Sequence, residues 1–325
     1  MPALRRREFI TLLSGAAVWP LAAHAQEAGR TYRIAILTGS PREAPQSVAC
    51  FDELRRFGFI EGQNLAVDPR GFGLREQQFR ETAAAIVKSA PDAIVTAGGP
   101  STRAAQEATK TIPILGTADD MVAEGLVSSL ARPGGNTTGV SLLAPELDGK
   151  RQDILMEAVP GAHRMAALAD PAISTPQHLQ ALQEAVRARG VELTIFSART
   201  PEEIVPAMNG AKAAGAAALN VLATPLFFFN QRVVIEHAAA LRMPAIYQWP
   251  EMAEAGGLAG YGPRITEWYR QLARVLVKVL RGAKPADLPI EQPTNFELVI
   301  NLQAARAIGR EVPAGLVLRA DKVIE

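Results

Sequence analysis

The stretch DAIVTAGGPSTR, residues 92–103, predicts the fold of this chain. Its first half, Ala93–Thr96, is a short run of apolar and β-branched residues, which is typical of a strand buried on both faces. Gly98 and Gly99 then allow a sharp turn, and Pro100 suits the first position of a helix. The stretch therefore predicts a buried strand that runs through a glycine turn into a helix.

The same strand-to-helix corner is a candidate binding site. Ser101 and Thr102 add hydroxyls beside the free N–H groups of the first helical turn. A helix N-terminus that follows a glycine turn attracts anions without any basic residue. Gly99, Pro100 and Ser101 are therefore candidate ligand contacts, although a turn that binds nothing explains this pattern equally well when it is taken alone.

Length and composition indicate a globular protein with two lobes. The chain has 325 residues, more than one hydrophobic core usually serves, and 48% of them are hydrophobic. A net charge of +1 gives no indication of nucleic acid or an anionic membrane surface as a partner. The single cysteine, Cys50, lies in an apolar stretch and predicts a buried, inert thiol.

The first 25 residues read as an export signal. RRREFI, residues 5–10, carries a twin arginine, and an apolar stretch follows from Phe9 to Ala23. That stretch is shorter than the roughly 20 apolar residues of a membrane span. Ala23 and Ala25 supply the small residues that a signal peptidase recognises. The arrangement resembles a Tat signal cleaved after Ala25, so we expect a soluble periplasmic protein.

Strands and helices alternate along the rest of the chain, which predicts doubly wound parallel sheets. ARPGGNTTGV, residues 131–140, interrupts the alternation, and the strand Thr138–Ser141 is expected to lead out of the first lobe. GGLAGYG, residues 256–262, predicts a return. The prolines of 285–293 predict an extended third passage. The fold class is therefore α/β, with two Rossmann-like lobes joined by a three-segment hinge; lobe 1 is 30–140 plus 262–284, and lobe 2 is 141–261 plus 285–325.

Ligands of such sheets bind at the carboxyl ends of the strands. The loops that leave the predicted strands should therefore converge on one cleft, at Thr38, Gly99, Asp120, Asp170, Thr224 and Tyr247.

The chain lacks the patterns of a catalyst or a metal site. Outside the signal there is no G-x-S-x-G turn, and no Walker A loop or metal-ligand spacing of histidines is present. Asp119 and Asp120 are adjacent and so usually point in different directions, which favours a helix cap over a metal pair. We therefore predict no enzyme, no metal and no cofactor. The aromatic residues Tyr247, Trp249 and Tyr261 suit either a pocket wall or core packing.

Several longer motifs resemble one known family, the substrate-binding proteins of ABC transporters related to the tryptophan/tyrosine-binding uptake proteins. The resemblance covers almost the whole chain and implies a type I periplasmic binding fold. It implies a monomer that carries a small molecule in the cleft to an ABC permease in the inner membrane. The motifs are RRREFI (5–10), SLARPGGNTTGVS (129–141), TPLF (224–227), MPAIY (243–247), GGLAGYG (256–262), RGAKPADLPIEQPTNFELVINLQAARAIG (281–309) and RADKVIE (319–325).

The family pattern also implies which residues contact the ligand. This chain has Met121 where many relatives have proline, and Gly260 where they often have serine, so the exact ligand stays open. The implied contacts are Thr38, Ser40, Gly99, Pro100, Ser101, Asp120, Ser141, Asp170, Thr224, Tyr247 and Tyr261.

If the ligand is an amino acid, its carboxylate would take the N–H groups of 99–102 and its ammonium would take Asp120. Its side chain would lie among Phe227, Tyr247 and Tyr261. Two alternatives remain at this point: an exported ligand-sensing module for a membrane receptor, and an exported α/β enzyme.

Overall fold

A computed structural model describes residues 29–142 and 144–325. The predicted export signal at 1–25 lies outside these residues. Within them, no helix combines the length and the apolar character that crossing a membrane requires.

The first lobe is built on a five-stranded sheet whose strands are all parallel. Its order is β2-β1-β3-β4-β5, and buried aliphatic residues fill the central strands. The elements are β1 (Tyr32–Leu37), α1 (Pro45–Arg56), β2 (Leu65–Asp68), α2 (Phe79–Lys88), β3 (Ala93–Ala97), α3 (Gly99–Ala108), β4 (Ile114–Ala118) and β5 (Thr137–Ser141).

The second lobe is built on a seven-stranded sheet of order β12-β11-β10-β9-β8-β6-β7. Its strands are parallel except for the antiparallel pair β10–β11. The elements that follow β5 along the chain are α4 (Ala144–Ala158), β6 (Arg164–Ala169), α5 (Pro176–Arg187), β7 (Glu192–Ser197), α6 (Pro201–Ala213), β8 (Leu219–Val221), α7 (Pro225–Phe229), α8 (Gln231–Ala240), β9 (Ala245–Tyr247), α9 (Pro250–Glu254), β10 (Ala259–Gly262), α10 (Ile265–Leu280), β11 (Glu297–Asn301), α11 (Leu302–Ala307), α12 (Ala314–Val317) and β12 (Lys322–Ile324). All except α10 belong to the second lobe.

The chain passes between the two sheets three times. It leaves the first sheet after β5, and it returns through α10, which packs against α1 and the strands β3, β4 and β5. The apolar face of α10 repeats every three or four residues, as in Ile265, Leu272 and Leu276, so this face is buried on the first lobe. The third passage leads into β11 of the second sheet. Two α/β lobes, as the sequence predicts, are thus confirmed.

Some details differ from the sequence prediction. Thr137–Ser141 pairs with β4 as the edge strand of the first sheet rather than leading out of it. The sequence places 285–325 in lobe 2, whereas the N–H of Glu291 donates to the C=O of Gly139 and its C=O accepts from the N–H of Ser141, both at 2.9 Å, on the first lobe. α7, α9 and β12 are not predicted, because five, five and three residues are too few to show a period.

Candidate functional site

Glycine and backbone-bound hydroxyls build the corner between β3 and α3. Gly98 has a φ of +92°, and a Cβ added there would lie 2.8 Å from Cγ of Pro225 in the second lobe. Both the turn and the approach of the other lobe therefore require glycine. The Ser101 hydroxyl accepts from the N–H of Ala97 and donates to the C=O of Gly98, each at 3.0 Å. Its hydrogen-bonding capacity thus serves the corner itself.

A carboxylate flanks the same corner. A Cβ added at Gly99 would lie 1.7 Å from Oε2 of Glu124, and Oε1 of Glu124 accepts from the Asp120 N–H at 3.2 Å. Burial raises the pKa of Glu124 to about 7. A second anion at this helix N-terminus would lie close to that carboxyl group, so the corner is less open to a ligand carboxylate than the sequence predicts.

Two adjacent aspartates follow β4 and lie in different surroundings. Oδ1 of Asp120 accepts from the N–H groups of Val122 and Ala123 at 3.0 and 2.9 Å, which makes it the cap of a turn. Asp119 is 7% exposed and lines a cavity, and no described residue donates a hydrogen bond to its carboxylate. The geometry favours Asp119 over Asp120 as the acidic group that faces a ligand.

The electrostatics of Asp119 arise from both lobes. Burial is the main reason why its pKa lies well above the usual range, and the nearby carboxylates of Glu124, Asp148 and Asp170 raise it further. The positive charge of Arg151 acts in the opposite direction. A cationic ligand group beside Asp119 would therefore relieve an unfavourable concentration of negative charge.

Hydrogen bonds join the strand ends of the second lobe. The Thr224 hydroxyl donates to Oδ2 of Asp170 at 3.0 Å and accepts from the N–H of Leu226 at 3.2 Å. The Gln248 side chain accepts from the Thr224 N–H at 2.9 Å and donates to its C=O at 3.2 Å. These bonds fix the loops after β6, β8 and β9 relative to one another.

A buried ion pair lies behind these loops. Arg151 is fully buried and bonds Asp148 at 2.6 Å. Its remaining N–H groups donate to the C=O of Tyr261 at 2.8 Å and to the C=O of Gln248 at 3.2 Å. His178 lies 3.6 Å from the other oxygen of Asp148. Arg151 thus anchors β10 and the segment that follows β9.

The cleft contains a partly open cavity of about 40 Å³ that is lined by residues from both lobes and from α10. Among the described residues that line it, Asp119 is acidic and none is basic. Most of its wall is aromatic or small. The lining residues are Ala97, Gly98, Thr117, Ala118, Asp119, Thr224, Pro225, Phe228, Phe229, Gln248, Trp249, Ile265, Trp268 and Tyr269.

The aromatic wall is a continuous row of rings. Phe228 lies 5.4 Å from Phe229 and 6.1 Å from Trp249, measured between ring centroids. Trp249 lies 5.2 Å from Trp268, which lies 6.1 Å from Tyr269. The row gives the cavity a broad apolar surface for a flat or branched side chain.

The predicted contacts are brought to the cleft only in part. Thr224 lines the cavity, and Gly99, Pro100 and Ser101 follow its wall residue Gly98. Three other predicted contacts use their hydroxyls to fix the loops in which they lie. The Thr38 hydroxyl accepts from the Ser40 N–H, and the Ser40 hydroxyl accepts from the Gln46 side chain. The Ser141 hydroxyl accepts from the Met121 N–H. Asp170 reaches the cleft through Thr224.

Both predicted tyrosines lie elsewhere. Tyr247 is 1% exposed, and a Cβ added at Gly257 would lie 2.4 Å from its ring, so it fills the core of the second lobe. Burial raises its pKa. Tyr261 stacks on Phe296 with ring centroids 6.3 Å apart. Phe227 is also fully buried, and the next two phenylalanines line the cavity in its place.

Sequence reasoning missed Trp268 and Tyr269. They lie near the start of α10, shortly after the return crossing, and this position next to the hinge is the signal that could have identified them. Among the described residues, no group of three histidine, cysteine or acidic side chains is arranged to hold a metal ion.

The fold and the cleft define the class of protein. Two α/β lobes around a cleft are the type I periplasmic binding fold, and solved structures share it. A conserved domain protein from Vibrio cholerae O1 biovar El Tor superimposes with a TM-score of 0.82, at 24% identity over 90% of this chain and 100% of its own. An ABC domain from Streptococcus pneumonia in complex with L-Trp gives 0.81, at 22% identity over 90% of this chain and 100% of its own.

Sequence comparison gives the family. Residues 50–324 match the model described as ABC transporter substrate binding protein, and the chain belongs to this family. A tyrosine-binding protein from Clostridioides difficile strain R20291 is 25% identical over 256 residues, which cover 77% of this chain and 72% of that protein.

Proposed function

We propose that this protein is the periplasmic solute-binding component of an ABC uptake transporter and that it captures an amino acid between its lobes. Membership of the substrate-binding family supports the transport role. One observation carries the ligand class: the buried Asp119 carboxylate has no hydrogen-bond donor and lines a cavity with largely aromatic walls. An ammonium group supplies the missing partner, and an apolar or aromatic side chain fits the rings.

The relatives agree with this ligand class, since one is a tyrosine-binding protein and another was solved with L-Trp. We propose that residues 1–25 direct export, that the protein acts as a monomer without catalysis or nucleic acid, and that it delivers its ligand to a permease in the inner membrane.

Binding requires the lobes to open. The cavity of about 40 Å³ has room for no more than a few water molecules. An amino acid therefore enters an open form, and the lobes close over it about the three crossing segments. We propose the predicted lobe division for this motion, with 285–291 moved to the first lobe.

A thermal-shift screen against the standard amino acids tests the proposal. Mass action stabilises the folded state by roughly 2.7 kcal/mol at a hundredfold excess of ligand over Kd. Asp119→Asn should abolish this shift because it removes the charge that pairs with the ammonium. Asp119→Asn should also raise the melting temperature of the ligand-free protein at any pH above the pKa of Asp119, because it removes a carboxylate whose ionised form is destabilised by burial and by the neighbouring carboxylates.

Asp120→Asn is the matched control, since it removes the neighbouring charge while the amide oxygen can still cap the turn. It should retain the full ligand shift. A shift lost in Asp120→Asn and kept in Asp119→Asn would reverse our assignment. No shift with any amino acid would contradict the proposed ligand class.

A further inference from the structure

Two tryptophans in the cleft have hydrogen-bond donors that nothing in the described chain satisfies. Trp249 and Trp268 are 3% and 6% exposed, and both line the cavity. Within residues 29–142 and 144–325, neither indole N–H has an acceptor. A buried tryptophan N–H usually has a partner, and leaving a buried donor unsatisfied costs about 1–3 kcal/mol. Both nitrogens are buried in this form of the protein, on rings that line one cavity, so opening of the lobes would offer two unsatisfied donors to an acceptor on a ligand.

The two indoles belong to different sides of the cleft. Trp249 immediately precedes α9 in the second lobe, whereas Trp268 lies in the first turn of α10, which packs on the first lobe. Their ring centroids are 5.2 Å apart, with 39° between the ring planes. An acceptor bonded to both N–H groups would therefore connect the two lobes.

The other polar groups of the cavity cannot fill this role. The amide of Gln248 bonds both backbone groups of Thr224, and the Thr224 hydroxyl donates to Asp170. The hydroxyls of Thr117 and Tyr269 are hydrogen-bonded to each other. Asp119 lies on the same cavity without a donor. Two unpaired donors and one unpaired carboxylate thus remain, which matches a ligand with an acceptor group at one position and a cation at another.

We propose that the indole N–H groups of Trp249 and Trp268 bind the carboxylate of a zwitterionic amino acid whose ammonium lies at Asp119. This inference rests on the proposed function and specifies the substrate class of the same site. It replaces the helix corner at Gly99, which Glu124 flanks, as the carboxylate site.

The charges of the cavity favour a zwitterionic ligand over a ligand that carries only a carboxylate or only an ammonium group. None of the described lining residues is basic, so a ligand carboxylate has to be balanced by the ligand's own ammonium. The acid without its amino group would bring a second negative charge near Asp119. The amine without its carboxylate would pair with Asp119 and leave both indole donors unsatisfied. The site thus selects the zwitterion over both.

Three matched probes test the inference by calorimetry: the amino acid with the largest thermal shift, its decarboxylated amine and its deaminated acid. For phenylalanine these are phenethylamine and 3-phenylpropionate. We expect the amino acid to bind about tenfold or more tightly than the amine, and the acid to show no binding.

Trp249→Phe and Trp268→Phe should each weaken amino acid binding about tenfold and change amine binding by less than about twofold. The control Phe228→Leu, which removes a ring without an N–H, should weaken both ligands equally.

A second measurement leaves both rings in place. In the full chain with Trp19→Phe, the indole N–H groups of the remaining two tryptophans give two resolved ¹⁵N-labelled signals. Addition of the amino acid should move both proton signals downfield, and addition of the amine should not. If the amino acid binds but moves neither signal, or if each Trp→Phe variant weakens amino acid and amine equally, the subsite is wrong while the proposed function stands. If no amino acid binds, both are wrong.

Discussion

The two lobes hold their halves of the cleft by different means. The first lobe uses close backbone packing: a Cβ added at Gly139 in β5 would lie 1.8 Å from the C=O of Gly116 in β4, and Gly98 meets Pro225 across the cleft. The second lobe uses the buried Arg151–Asp148 pair to anchor the backbone at Gln248, just after β9, and at Tyr261 in β10. Close packing tolerates no added atom, whereas a buried ion pair tolerates no missing partner.

The largest expected effect comes from breaking the ion pair. Arg151→Leu leaves the Asp148 carboxylate buried without its main partner and should reduce the free energy of unfolding by about 3–5 kcal/mol. Chemical denaturation measures this loss. Adding Asp148→Leu to the same variant removes the uncompensated charge and should restore part of the stability.

The surface pair Arg189–Asp153 in the same lobe provides the control, because its arginine side chain is 55% exposed. Arg189→Leu should cost less than about 1 kcal/mol. Equal losses in the free energy of unfolding for Arg151→Leu and Arg189→Leu would mean that the buried pair does not stabilise the second lobe more than a surface pair does.

Gly98→Ala tests the close packing by which the first lobe forms its side of the cleft. The new methyl group would lie 2.8 Å from Pro225, so it should hinder closure and weaken amino acid binding about tenfold, or ~1.4 kcal/mol. Calorimetry gives the affinity, and small-angle scattering should show a less compact ligand-bound form. Gly135→Ala is the matched control: it has a φ of +60° and no atom within 4 Å of the added Cβ. Gly135→Ala should introduce backbone strain without a change in amino acid affinity. Equal losses of affinity in Gly98→Ala and Gly135→Ala would contradict the steric effect of the Gly98 methyl group on closure.

A smaller effect is proton release on binding. The pKa of Asp119 is raised in the free protein, chiefly by burial and then by Glu124, Asp148 and Asp170, against Arg151. A ligand ammonium favours the ionised form and lowers that pKa, so binding releases a fraction of a proton. Affinity should therefore rise as pH rises through the pKa of Asp119 in the free protein.

Calorimetry at one pH in buffers of different ionisation enthalpy counts the released protons. Glu124, with a pKa of about 7, faces the same region and could contribute, so Glu124→Gln is compared with the wild type. Release that persists in Glu124→Gln supports Asp119 as the source. Proton uptake on binding would contradict the assignment.

The fold was predictable from the sequence because the strands carry their signal locally. The run Ala93–Thr96 is apolar without interruption, and Gly98 marks the turn that follows it, so the β3–α3 corner lies where its pattern indicates. β12 has three half-exposed or exposed residues and joins the sheet through pairing with β11, which no local pattern contains.

The site was predictable only as far as its loops. Whether Asp119 or Asp120 faces the cavity depends on a turn in which the N–H groups of Val122 and Ala123 take the second carboxylate. A hydroxyl such as that of Ser101 suits a ligand or its own backbone equally well, and the choice is made by three-dimensional contacts. Sequence thus identifies strand ends, whereas packing decides which side chains remain available there.

The smallest expected effect is that of a substitution at Tyr261. This substitution distinguishes the binding site that the sequence predicts from the binding site that the structure indicates. The sequence makes Tyr261 a wall of the pocket, whereas in the structure its ring stacks on Phe296 and only its backbone C=O meets Arg151. Tyr261→Phe preserves both contacts and should change amino acid affinity by less than about twofold, or ~0.4 kcal/mol. Tyr269→Phe is the matched change on a ring that lines the same cavity as Asp119, and it should weaken binding more. If calorimetry shows the reverse order, the ligand lies against β10, and the cavity between Trp249 and Trp268 is not where it binds.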